Sequence, residues 1–511
     1  MVTSRYMHGF RWATKTTSLS FMRLVSSRAS PGLENSSTGS DCPKTGVREI
    51  LRRITRRGSI SAPLQEWVDS GRVVSVSELR SISKQLMRSE RYDLALEMME
   101  WMEETLKGVQ VSSYDHALRM ESIIKVRGLK KAEEYFDQLH ETAPLKVVKA
   151  AYLPLLRAYV KEKFVHESEA LMKKLNGLGL LVDPHPFNEM MKLYAATSQI
   201  EKVPLVIMQM KRNKIPRNVL SYNLWMNACG EVYGVASVEA VYREMVSDKS
   251  VEVGWSTLCT LANVYMKTGF DEKATLVLEN AEKKLNNNNR LGYFFLITLY
   301  ASLRNKEGVV RLWEASKSVH GRITCANYIC VLSSLVKVGD RTRAERIFGE
   351  WEANCRNYDV RVSNVLLGAY ARKGLMEKGE SFHARVLRRG GEPNYKTWEI
   401  LIEGWVKCQD MTKAIDAMSK AFDLMKRCHW RPPQKLVMSI AEYFEKHEKL
   451  EEANAYARQL RCFGLSSLEL YRLLLRMHAK AGKPSFYIVE MMRTDKIDVD
   501  DETYSLTQAH N

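Results

Sequence analysis

Residues 219–254 read VLSYNLWMNACGEVYGVASVEAVYREMVSDKSVEVG. Leu220, Tyr222, Leu224, Trp225 and Ala228 fall at helical spacing and predict a first amphipathic helix of about twelve residues. A turn near Gly230–Gly234 follows, then a second helix with Val238, Ala240, Val241 and Met245 on one face. The same unit recurs on both sides. Phe187, Tyr222, Leu258, Tyr293, Tyr328, Ser363 and Trp398 are thirty-five residues apart, with one step of thirty-six. Gly269, Arg304, Gly339, Gly374 and Gln409 keep the same step, as do Ala274, Val309, Ala344, Gly379 and Ala414. So long a fixed period marks a stacked array of one small supersecondary unit.

Each row has a physical reason. Glycine at Gly269, Gly339 and Gly374 suits a tight turn where φ is positive. The small residue at Ala274, Ala344 and Ala414 sits early in the second helix, where a large side chain would push two helices apart. The aromatic row points inward as core. The links Ile215-Pro216-Arg217-Asn218 and Gly391-Glu392-Pro393-Asn394 place a proline that halts one helix before an asparagine that caps the next. No segment alternates apolar and polar residues long enough for a strand. The expected fold is all-α.

A chain of 511 residues would ordinarily hold roughly three or four globular domains. An array escapes that count, because each repeat buries its apolar face only against its neighbours. No run of apolar residues is long enough to span a membrane. Lys and Arg number 77 against 60 Asp and Glu, a formal charge of +17 that favours a polyanionic partner. The nine cysteines are scattered without a C-x-x-C pair, which argues against a disulfide framework and a zinc site.

Residues 1–33 contain no acidic residue, yet carry Arg5, Arg11, Lys15, Arg23 and Arg28 among many Ser and Thr. That composition predicts an organellar transit peptide, mitochondrial in the first place and chloroplast as the alternative. Residues 34–48 read as linker. Ile50, Leu51, Ile54, Leu64, Trp67 and Val68 predict capping helices within 49–75, closing the end of an array that fills 76–511.

A helical hairpin of this period suggests two families. The W-x₂-L-G-x₂-Y opening of the tetratricopeptide repeat is missing. Instead, Ile215-Pro216-Arg217-Asn218-Val219-Leu220-Ser221-Tyr222-Asn223 and Glu392-Pro393-Asn394-Tyr395-Lys396-Thr397-Trp398 resemble the pentatricopeptide repeat (PPR) of organellar RNA-binding proteins. So do Val336-Lys337-Val338-Gly339 with Ala344-Glu345-Arg346-Ile347-Phe348, and Tyr370-Ala371-Arg372-Lys373-Gly374. The resemblance divides the chain into units 76–112, 113–148, 149–183, 184–218, 219–254, 255–289, 290–324, 325–359, 360–394, 395–433 and 434–467, with a partial unit from Leu468. It implies a right-handed superhelical solenoid of helix-turn-helix repeats and, for an array of plain units, the P class of the family.

The resemblance also implies that first helices line the concave face and that each unit faces one base of single-stranded RNA. The reading positions in the family are the fifth and last residues of a unit. By that carry-over Asn188 pairs with Asn218, and Asn364 with Asn394, the asparagine pairing for pyrimidines. Other units depart from it. Asn223 is followed by Gly254; Asp183 and Asp359 end units whose fifth residues are Leu153 and Ile329; Cys259 precedes Asn289. Phe294 stands before Thr324, offering a ring for stacking, and Glu399 takes the fifth place in 395–433. Asp183, Cys259, Asn289 and Asp359 are the weaker candidates. Basic residues such as Lys173, Lys174, Lys211, Arg212, Arg372, Lys373, Arg388, Arg389, Lys426 and Arg427 offer sequence-blind contact to phosphates.

No phosphate-binding glycine loop, H-E-x-x-H or hydrolase triad stands in the chain, and no deaminase pair of H-x-E and P-C-x-x-C. No catalytic residue, metal ligand or cofactor is expected. The resemblance implies an RNA-binding protein acting without catalysis in organellar RNA maturation, stability or translation. Its partner would be a mitochondrial transcript or ribosomal RNA, not DNA. A structural place in the mitochondrial ribosome, touching its proteins, is the second reading; a protein-only helical scaffold is the third.

Overall fold

The computed structural model describes residues 45–70, 75–105, 112–286, 290–498, 500 and 503. The expected transit peptide lies outside them, as do the first eleven residues of the expected linker. Among the described residues there are 26 α-helices and no strand, and no helix is long and apolar enough to cross a membrane. The first helix starts at Thr45, four residues ahead of the expected boundary at 49.

The chain forms two compact units, divided between Thr268 and Gly269. In the first, α1 (Thr45–Arg57) and α2 (Ser61–Asp69) precede the hairpins α3 (Val76–Arg88)–α4 (Tyr92–Thr105) and α5 (Ser113–Val126)–α6 (Leu129–Thr142). Then come α7 (Leu145–Glu162)–α8 (Val165–Gly177), α9 (His185–Ala196)–α10 (Val203–Arg212), α11 (Val219–Val232)–α12 (Val235–Ser247) and α13 (Trp255–Lys267). Ile50, Ile54, Leu64 and Trp67 of α1 and α2 share a core with Leu79, Ile82 and Leu86 of α3. Glu97 of α4 accepts the backbone N–H of Ile60 at 3.0 Å, satisfying a donor at the start of α2.

The second unit opens with α14 (Asp271–Lys283). Its hairpins are α15 (Arg290–Ser302)–α16 (Lys306–Lys317), α17 (Cys325–Lys337)–α18 (Arg341–Asn354) and α19 (Val360–Arg372)–α20 (Met376–Arg388). They continue with α21 (Tyr395–Lys407)–α22 (Met411–Met425), α23 (Gln434–Lys446)–α24 (Leu450–Cys462) and α25 (Leu468–Lys480)–α26 (Phe486–Thr494). Neighbouring first helices pack on one another, α5, α7, α9, α11 and α13 in one unit and α15 to α25 by odd numbers in the other, and all of these but α13 also pack on their hairpin partners. Within each unit the first helices therefore make one layer of an all-α solenoid, with the second helices behind it.

Local chemistry sets this period. Capping boxes open α3 (Ser75 with Glu78), α5 (Ser112 with Asp115), α11 (Asn218 with Ser221) and α21 (Asn394 with Thr397). Every hairpin turn from Gly128 onward holds one residue at positive φ. Glycine fills it at Gly234, Gly269, Gly339 and Gly374, but Lys163, Ser198, Arg304, Gln409 and Glu448 adopt the same conformation. The turn geometry is imposed by the packed helices, and glycine merely meets it without strain. Ala274, Val309, Ala344 and Ala414 are wholly buried, as are Phe187 and Tyr222 of the aromatic row.

A second row ties successive hairpins together. The phenols of Tyr159, Tyr194, Tyr265 and Tyr370, near the ends of first helices, donate to Glu133, Glu169, Glu239 and Glu345 at 2.7, 2.9, 2.9 and 2.8 Å. Each glutamate belongs to the second helix of the preceding hairpin. Lys202 and Lys378 add a charge to Glu169 and Glu345 at 3.0 and 2.8 Å. Burial and the hydrogen bond to Glu239 push the Tyr265 phenol up to about 12, so it stays a donor at physiological pH.

Candidate nucleic-acid interface

The two complete asparagine pairs close on themselves. Asn188, fourth residue of α9, donates from Nδ2 to Oδ1 of Asn218 at 3.1 Å. Asn218 is the N-cap of α11, and its Oδ1 also accepts the backbone N–H and the hydroxyl of Ser221, at 2.9 and 3.0 Å. The Ser221 hydroxyl also donates to Oδ1 of Asn188 at 2.8 Å. Asn364 and Asn394 repeat the pattern. Nδ2 of Asn364 reaches Oδ1 of Asn394 at 3.1 Å; Thr397, in the place of Ser221, bonds Asn394 through its N–H at 3.1 Å and Asn364 through its hydroxyl at 3.0 Å. Each clasp fastens one first helix to the next.

The clasp decides what a ligand meets. The Oδ1 of each cap is saturated by protein donors, so its Nδ2 is the group left for a ligand. Asn188 is 1% exposed and Asn364 7%, while both caps are half-buried. The Asn364 clasp borders an open groove of about 360 Å³, lined also by Arg361, Arg372, Lys396, Ile400 and Glu403. Arg361 and Lys396 are paired with Asp359 and Glu399, so Arg372 and the amide are what the groove offers an anionic, hydrogen-bonding ligand, beside the carboxylate of Glu403.

The remaining candidates are placed differently. Asn223 is half-buried, with its Oδ1 buried and without a hydrogen-bond partner. Cys259 is wholly buried, and burial pushes its thiol well above the usual range, so it is core. Asp183 accepts the N–H of His185 at 3.0 Å. Asp359 caps α19 and holds the Arg361 guanidinium at 2.7 Å; those bonds, outweighing burial, keep its carboxyl below the usual range. Asn289 lies outside the described residues. Phe294 is buried against Trp313, ring centres 6.2 Å apart, and is core rather than a stacking platform. Glu399 is engaged by Lys396 and by Trp430 Nε1, the latter at 3.2 Å; Trp430 comes from the extra residues of unit 395–433 and stacks on Tyr395.

The basic candidates also separate. Lys174, Lys211 and Lys426 are paired with Asp137, Glu244 and Asp423 at 3.1, 2.8 and 2.8 Å. A different row stands out in the second unit. Lys337, Arg372, Lys407, Lys446 and Lys480 end successive first helices from α17 to α25, and all five are exposed. Lys337 bonds the Ser302 hydroxyl at 2.9 Å, and Lys407 the carbonyl of Arg372, so the row is stitched without acids at those two places. Cations at helix C-termini offset the dipole there. Repeated along one edge of a helix layer, they also form a track for phosphates. Sequence reading singled out only Arg372; the thirty-five-residue step from Lys337 to Lys407 was the available signal.

Comparison with known proteins supplies the lineage. A profile of the Pentatricopeptide repeat domain matches residues 170–232, and one of the PPR repeat matches 362–391. A pentatricopeptide repeat-containing protein of Arabidopsis thaliana is 68% identical over 476 residues, covering 93% of this chain and 96% of its own. A mitochondrial pentatricopeptide repeat-containing protein of the same plant is 32% identical over 451 residues, 88% of this chain and 90% of its own. The large ribosomal subunit protein mL101 (rPPR4), also from Arabidopsis thaliana, is 32% identical over 447 residues, 87% and 90%. With a repeat of helical hairpins, asparagine-capped first helices and relatives matched along nearly their whole length, this chain belongs to the pentatricopeptide repeat family.

Proposed function

We propose that this chain is a P-class repeat protein of the mitochondrion that holds single-stranded RNA along its first-helix layer, without catalysis, in organellar RNA maturation, stability or translation. The observation that carries the reading is the row of exposed cations from Lys337 to Lys480, in which Arg372 lines the groove together with Asn364. Phosphates on the track would set the register of the strand, and the amides would meet base edges. The acid-free, arginine-bearing stretch 1–33 and the mitochondrial relative support the address.

A second reading, residence in the mitochondrial ribosome, is favoured by the closed clasps, which leave few amides to read a sequence, and by the mL101 relative. One experiment separates them. The tagged protein is crosslinked in mitochondria, its RNA sequenced, and the lysate run on a sucrose gradient. A short footprint in one transcript with light sedimentation supports the transcript-binding reading. Ribosomal RNA crosslinks with co-sedimentation of a subunit support the second; no RNA crosslink overturns both.

A further inference from the structure

The outer side of the second helices changes character within the first unit. Leu205 and Met208 lie one turn apart on α10, and each is more than half exposed. Thirty-five residues to either side of Leu205 stand Ala170 of α8 and Ala240 of α12, both exposed. Leu205 is therefore a ridge between two low places. Val246, also more than half exposed, extends the apolar surface along α12. The positions of Leu205 and Met208 are held by Glu134 and Asp137 in α6, and by Arg311 and Glu314 in α16. Those helices show solvent a charged face; α10 shows it an apolar one.

Cations edge this patch on one side. Lys173 of α8 and Arg243 of α12 keep the thirty-five-residue step with Met208, and Arg212 ends α10. All three are exposed, and among the described residues none of them forms an ion pair. The carboxylates alongside are taken: Glu169 by Lys202 at 3.0 Å, Glu244 by Lys211 at 2.8 Å, and Glu239 by the Tyr265 phenol at 2.9 Å. Glu201 lies at the opposite end, ahead of Leu205. An apolar stripe edged by free cations complements a helix with an apolar face and carboxylates along one border. We propose that the α8–α12 face docks an acidic amphipathic helix of a partner protein. Its apolar side chains sit over Leu205 and Met208 and fill the low place at Ala240, as ridges fill grooves between packed helices. Its carboxylates meet Lys173, Arg212 and Arg243. A second copy of this chain, paired face to face, would set cation against cation. RNA phosphates would meet Leu205 and Met208 with no donor to take them. This surface belongs to the second helices and stands apart from RNA binding on the first.

The test is selection of a displayed library of helical peptides with randomised side chains on the full-length protein. Two variants stand beside it: Leu205→Glu with Met208→Glu, and Lys173→Glu with Arg243→Glu. All four residues are exposed, and circular dichroism verifies that the variants fold. The wild type should enrich peptides with an apolar stripe at helical spacing and Asp or Glu along one edge. The first variant should weaken those peptides by roughly tenfold or more, the loss expected of central apolar anchors. The second should enrich Lys or Arg along that edge instead. No enriched peptide, enrichment without an acidic edge, or binding that survives both variants overturns the proposal. So does self-association, followed by sedimentation, that the first variant abolishes, since the face then belongs to a second copy. Loss of single-stranded RNA binding in the first variant gives the face to RNA and overturns it equally.

Discussion

One substitution, made in three places, should have two different outcomes. Asn364→Ala removes the bond from Nδ2 to Asn394 at 3.1 Å and the bond accepted from Thr397 at 3.0 Å. The Thr397 hydroxyl, 1% exposed, keeps its bonds to Asn394, donating to Oδ1 at 3.2 Å and accepting the backbone N–H at 3.1 Å. At about 1 kcal/mol net for each bond lost, the variant should lose about 2 kcal/mol of local stability. Asn188→Ala breaks the same two bonds, at 3.1 and 2.8 Å, and should cost a similar amount. Asn223→Ala removes an amide whose buried oxygen bonds nothing, so its cost should stay below about 0.5 kcal/mol. Repeat arrays open locally, so amide hydrogen exchange is the suitable assay, read on peptides from α9–α11, α11–α13 and α19–α21. Equal losses at all three sites, or none at Asn188 and Asn364, would refute the account of the clasps.

Three further outcomes follow from the packing. Tyr370→Phe deletes the 2.8 Å bond to Glu345 between hairpins and should cost about 1 kcal/mol, seen as faster exchange in α18 and α19. Gln409→Gly relieves a residue held at φ 62° and should raise the thermal midpoint, since about 1 kcal/mol of strain exceeds much of glycine's added chain entropy. Stability should fall in acid. Burial pushes Asp115 and Glu345 up, but Arg80 and Ser112 in one case and Lys378 and Tyr370 in the other outweigh it and hold both carboxyls below their ordinary values. A depressed folded pKa means stabilisation that is present above about pH 4 and lost as pH falls through the folded value. Thermal melts between pH 7 and 3 should show that decline, and Arg80→Gln with Lys378→Gln should flatten it.

The hairpins were legible because the core imposes the period: Phe187, Tyr222, Ala274 and Ala344 recur wherever a helix must meet its neighbour. What lies between hairpins was harder to read. Tyr370 keeps the thirty-five-residue step with Tyr265, Tyr300, Leu335 and Trp405, but that spacing does not reveal that its phenol meets Glu345, twenty-five residues earlier. Asn188 and Asn218 were legible as a pair, but their spacing alone does not reveal that the amides bond each other. The departure at Gly254 reads in sequence as a lost reading position, and α13 has no side-chain cap there. Glu399, which departs from the family's pattern at the fifth place of its unit, accepts a bond from Trp430 of the longer link, a contact its sequence position does not show.

On the proposed reading RNA lies along the first helices of the second unit with its phosphates on the cation row. The most direct measurement is single-stranded RNA affinity as a function of salt, for the wild type and for Lys337, Arg372, Lys407, Lys446 and Lys480 changed together to Ala. For single strands each phosphate contact adds about 0.7 to the slope of log affinity against log salt. Loss of five contacts should lower that slope by about 3.5 and weaken binding most at low salt. An unchanged slope and affinity would contradict the account and place the RNA elsewhere, or nowhere, on this chain.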